Sequence, residues 1–115
     1  MDAKSKAARS ALGPVLEAGE GVERVAPAVG CTLVLTDRRL FLVREGGARR
    51  RPVHGIQSWR LDGELTIRIG KPVHDSSLLL IDRAGCSASV FLTGANLGNA
   101  RLLIAEAGKR ADTDG

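Results

Sequence analysis

The chain has 115 residues, 43% hydrophobic and 26% charged, which is the balance of an ordinary folded domain rather than of a disordered or membrane-spanning chain. A length of this order buries one core without disulfides or a structural metal. The formal net charge of +4 admits acidic partners without demanding them, and an aromatic content of 3%, with no Tyr, obliges the core to be built from Leu, Val, Ile and Ala.

In chain order, Ala3 to Ala18 reads as a short helix, with Ala8, Ala11, Leu12, Val15 and Leu16 near one face. Pro14 lies inside that span and predicts either an end near Gly13 with a one-turn restart, or a kink. Gly19-Glu20-Gly21 breaks the helix. Val22 to Val29 reads as a first strand, interrupted by Pro27, which suits an edge or a bulge. Cys31 to Leu35 and Leu40 to Arg44 follow as a hairpin joined by Thr36-Asp37-Arg38-Arg39. Asp and Thr suit that turn because their side chains bond nearby backbone amides.

Glu45 to Pro52 reads as a basic loop, and Val53 to Leu61 as a fourth strand carrying Ile56 and Trp59. Asp62-Gly63 is a turn signal, and Glu64 to Ile69 alternates as a half-buried strand should. Gly70 to Ser77 is a polar loop, Leu78 to Ile81 an apolar strand, and Asp82 to Gly85 a turn into Ser87 to Leu92. A closing helix carries Leu97, Ala100, Leu103, Ile104 and Ala107 on one stripe. Gly108 fits a C-terminal cap with Lys109 and Arg110 near the negative end of the dipole. The chain thus divides into a helical extension over 1–18, a domain over 19–110 and a frayed, disordered tail over 111–115. Seven short strands with tight turns predict a sandwich or partly open barrel, its open end covered by the closing helix.

Leu33-Val34-Leu35-Thr36-Asp37-Arg38-Arg39-Leu40-Phe41 resembles the central hairpin of bacterial pleckstrin-homology-like (PH-like) domains, in which an apolar strand meets a Thr-Asp-x-Arg-Leu turn. Val53 to Trp59, Gly63 to Ile67 and Asn96 to Ala107 resemble the family's fourth strand, fifth strand and C-terminal helix, so the likeness runs from Gly19 to Gly108. It implies a mainly β (α+β) fold, a seven-stranded bent sandwich closed at one corner by a helix. It also implies a binding or scaffolding role, often with self-assembly. The N-terminal helix lies outside that pattern.

Catalysis finds little support. No Gly-x-Ser-x-Gly turn and no His-Glu-x-x-His pair is present. Gly63 to Gly70-Lys71 has six residues between its glycines where a phosphate loop has four, and Pro72 stands where Ser or Thr belongs. Cys31, Cys86, His54 and His74 are isolated, without the paired spacing of a zinc site. Both thiols are expected to be buried and inert in a cytoplasmic protein, and no cofactor or metal is expected. The N-terminus lacks the continuous apolar stretch of a secretory signal.

Arg38, Arg39, Arg44, Arg49, Arg50 and Arg51 form the strongest candidate patch for an anion or a partner, six arginines against the single acid Glu45. The first strand-strand loop, where eukaryotic PH domains hold lipid phosphates, has no basic residue over Ala26 to Gly30. Nucleic acid ranks low because Phe41, Trp59 and Phe91 all sit in apolar strand settings rather than as stacking platforms. Leu33 to Leu35, Leu40 to Val43 and Leu78 to Ile81 do not alternate, so their second faces need cover, from the chain's own helices or from another subunit. The expectation is a non-catalytic PH-like module acting through protein contacts and self-association. The alternative is a peripheral binder of anionic lipid headgroups through Arg49 to Arg51.

Overall fold

The computed structural model describes residues 3–44 and 55–114, with side chains over 5–44 and 55–111. The elements are α1 (Ala3–Leu12), β1 (Val22–Ala28), β2 (Cys31–Thr36), β3 (Arg39–Arg44), β4 (Ile56–Arg60), β5 (Thr66–Ile69), β6 (Ser76–Arg83), β7 (Cys86–Thr93) and α2 (Gly94–Asp114). They form two antiparallel sheets, β1-β2-β3-β4 and β5-β6-β7. The sheets face one another as an open sandwich rather than a closed barrel, and α2 packs chiefly on β1 and β7.

The main core lies between the sheets. Leu33, Leu35, Leu40 and Leu42 meet Leu79, Ile81, Val90 and Leu92, and α2 adds Ala100, Leu103 and Ala107. The register explains which residues point inward. Leu33 opposes Leu42 and Leu35 opposes Leu40, so these four share the inner face. Val34 opposes Phe41 on the other face, where a second cluster forms with Ala8 and Leu12 of α1. Every residue of β2 is therefore buried, and the chain's own first helix covers the outer face.

Several expectations shift in position. α1 stops at Leu12 instead of reaching Ala18, because Pro14 has no N–H to give and its ring would clash with the Ser10 carbonyl. Val15 and Leu16 still donate to the Leu12 carbonyl, which makes one closing turn. α2 does not cap at Gly108 but runs on to Asp114, taking in residues 111–114 of the expected tail. A glycine inside a helix costs about 1 kcal/mol. Burial of Ala111 and the Arg110–Glu23 ion pair to β1 hold the added turn.

Pro27 sits on β1, the edge of its sheet, as a strand proline must. The β6–β7 connection is a two-residue turn with positive φ at Ala84 (53°) and Gly85 (84°), the geometry that matches the twist of a hairpin. The Asp62 carboxylate accepts from the Glu64 amide at 3.0 Å and from Arg83 Nε at 2.9 Å, which ties the β4–β5 turn to β6. Arg83 holds that carboxyl below its ordinary range.

Candidate interaction surface

The Thr36-Asp37-Arg38-Arg39 turn is wired to the segment that follows α1. Thr36 Oγ1 donates to Glu20 Oε2 at 2.7 Å and accepts from the Arg38 and Arg39 amides at 3.1 and 2.9 Å. Arg39 clasps the Glu20 carboxylate with Nε and a terminal nitrogen, and its guanidinium stacks 4.6 Å from the Phe41 ring centroid. Asp37 Oδ1 accepts from the Gly21 amide at 2.9 Å, and Arg38 donates to Glu17 at 3.0 Å. The Glu20 side chain is fully buried, and its pKa is lowered from 4.5 to about 2, first by the Arg39 hydrogen bonds, which outweigh the cost of desolvation.

This accounts for much of the hairpin pattern. Thr36 feeds the turn and the buried carboxylate, Asp37 holds the Gly21 amide, and Arg39 neutralises Glu20. Glu20 is the partner that sequence reasoning missed, because Gly19-Glu20-Gly21 registers only as a helix break.

Of the six arginines, Arg38 and Arg39 thus sit in internal ion pairs at one end of β3. Arg44 lies at the other end, about 17 Å away by strand rise, and donates to Gln57 Oε1 at 3.1 Å. Arg49, Arg50 and Arg51 fall outside the described residues, as does His54. Among the described arginines, Arg38 and Arg39 therefore lie apart from Arg44.

The cysteines divide. Cys31 is buried as expected, whereas Cys86 is exposed at the start of β7, because it sits beside the tight Ala84-Gly85 turn. The aromatics divide as well. Phe41 lies under α1, and Trp59 is buried and donates its Nε1–H to the Cys86 carbonyl at 3.0 Å. Phe91 departs from expectation: it is 56% exposed. Among the described residues no three His, Cys, Asp or Glu side chains come together as metal ligands. No helix among them is long and apolar enough to cross a membrane. The β1–β2 connection is the two-residue turn Val29-Gly30, which carries no cation.

The outer face of the β5-β6-β7 sheet is the surface that stands out. Leu79 and Ile81 point into the core, so their neighbours Leu78 and Leu80 point away from it, 36% and 47% exposed. Leu78 opposes Phe91 in register, and the Val29 amide donates to the Phe91 carbonyl at 2.9 Å, which brings exposed Val29 to the same patch. Arg68 and Ser89 flank Leu80 from the neighbouring strands.

With this geometry the chain is a PH-like sandwich carrying an additional N-terminal helix. A crystal structure described as a pleckstrin homology domain from Shewanella amazonensis SB2B is similar in fold, with TM-score 0.60 and 16% sequence identity over 91% of this chain and 97% of that one. At that identity the likeness concerns the fold alone. No family model matches the sequence, and no curated protein matches it.

Proposed function

We propose that the chain is a non-catalytic binding module that acts by protein–protein contact and associates with itself through the outer face of the β5-β6-β7 sheet. The observation that carries this reading is the exposure of Leu78, Leu80, Phe91 and Val29 on a sheet whose other face packs into the main core. Exposed apolar clusters on an otherwise packed domain mark contact surfaces. A face that meets its own copy buries the same patch twice. Light scattering should give a mass above that of one chain, falling to the single-chain mass in Leu80→Asp with Phe91→Ser. A single-chain mass for the unaltered protein at high concentration removes the reading. Salt-sensitive sedimentation with acidic vesicles by such a monomer would favour the second reading, an anionic headgroup site. That reading is supported by Arg44, the cation of a groove of about 610 Å³ that Ser87, Ser89 and the carboxylate of Asp82 also line.

A further inference from the structure

A second surface lies along the edge of β7, beside the end of β3. β7 ends its sheet, with β6 on one side only. The Phe91 carbonyl accepts from the Val29 amide at 2.9 Å, on the side away from β6. Backbone groups of an antiparallel strand alternate between its two sides. Ser89 and Ser87 therefore turn their amides and carbonyls the same way as Phe91, and Ala88 and Val90 turn theirs to β6. Among the described residues no backbone group bonds to Ser87 or Ser89 on that open side. Such an edge is a template for an added strand. This one is short: the Val29-Gly30 turn closes it at Phe91, so a strand laid along it must stop there.

The groove of about 610 Å³ beside this opening carries one charge of each sign. Arg44 opposes Cys31, and Cys31 opposes Ala28 across the Val29-Gly30 turn, so Arg44 stands at the closed end. It gives one N–H to Gln57 and keeps its other donors, with no ion pair among the described residues. Asp82 opposes Ser87, one side-chain repeat further from that end than Ser89. It is exposed and likewise makes no ion pair among the described residues. Ser87 is the β7 residue beside it, and so small a side chain leaves room for a long one to reach Asp82 from an added strand.

We infer that the edge of β7 receives the free C-terminal end of an extended peptide, added as a strand parallel to β7, with a basic side chain upstream of its terminal carboxylate. Arg44 takes the carboxylate with its remaining N–H groups. Ser87 and Ser89 supply the main-chain bonds, and Asp82 takes the basic side chain about two residues earlier. The affinity comes from the main chain, and the two charges set direction and sequence. This goes beyond self-association, because the partner is a chain terminus and the surface is a strand edge rather than the apolar outer face.

The test uses the full chain and the peptide Ala-Thr-Val-Lys-Thr-Val, labelled with fluorescein at its N-terminus. By anisotropy the free-carboxylate form should bind at least about tenfold more tightly than the C-terminal amide. Amide exchange at Ser87 and Ser89 should slow when it is added. Arg44→Gln should remove the preference for the free carboxylate while its thermal transition is kept. Asp82→Lys, a change at an exposed site, should reverse the preference between this peptide and one with Glu in place of Lys. Absence of binding at about millimolar peptide overturns the inference, and so does equal binding of acid and amide. Sedimentation with acidic vesicles that Arg44→Gln abolishes, with no peptide bound, also overturns it and assigns the groove to a headgroup. Concentration-dependent protection of Ser87 and Ser89 without peptide overturns it too, since a second copy would then hold the edge. A single-chain mass in light scattering removes self-association and leaves peptide binding to be read separately.

Discussion

The outer faces of the two sheets began from the same sequence signal and ended differently. Leu33 to Leu35 and Leu78 to Ile81 are both apolar runs without alternation. On the first sheet α1 lies across the outer face, and Val34, Phe41 and Val43 are buried beneath Ala8 and Leu12. On the second no element among the described residues lies across it, and Leu78, Leu80 and Phe91 stay exposed. A run of apolar residues states a demand for cover. Whether the chain meets that demand itself depends on where its spare helix docks.

The largest effect should come from breaking the covered face. Phe41→Ala removes a fully buried ring of β3 from beneath α1, and should lower unfolding free energy by about 3–5 kcal/mol in a urea titration. Phe91→Ala on the bare face should change the stability of the single chain by only about 0.5 kcal/mol, while reducing self-association. Equal losses at the two positions would mean that the second face is covered as well.

Next in size is the clasp that holds the segment after α1 to the hairpin. Glu20 has a folded pKa of about 2 against an ordinary 4.5, so its ionised form stabilises the fold. That contribution is fully present above about pH 4.5 and is lost as pH falls through 2. It is on the order of 3 kcal/mol at neutral pH. Acid titration of stability should therefore slope downward over that window in the unaltered chain. In Glu20→Gln stability should be lower at neutral pH and the slope flatter. A parallel slope in both would place the acid sensitivity elsewhere.

The smallest effect concerns the sheet with the bare face. His74 (φ 51°) and Asp75 (φ 64°) form a two-residue turn in the left-handed region, closed by reciprocal bonds between Val73 and Ser76. Asn and Gly adopt that conformation at less cost. His74→Asn with Asp75→Gly should raise the thermal midpoint by the equivalent of about 0.5–1 kcal/mol, without altering self-association.

The strands themselves were legible, because alternation, glycine and Asp-Gly turns act over a few residues. β2 and β3 fall within one residue of expectation, and Asp62 makes the turn its type predicts. The candidate site was less so. Arg38 and Arg39 look like free cations in a linear count, yet each faces a carboxylate about twenty positions earlier. Phe91 looks like core from its neighbours, yet pairing with Leu78 places it outside. Gly108 has the local chemistry of a helix end, yet contacts made by Ala111 and Arg110 carry the helix past it.

The order of the strands, the buried identities of Leu33, Leu35, Leu40 and Leu42, and the place of the turns followed from the sequence, since periodicity and turn chemistry are local. The tertiary structure decided that Glu20 would neutralise Arg39, that α1 would cover the outer face of the first sheet, and that Leu78, Leu80 and Phe91 would stay exposed on the second. Those outcomes depend on which surfaces meet across long stretches of chain, and the packing of the sheets and helices settles that where local preference cannot.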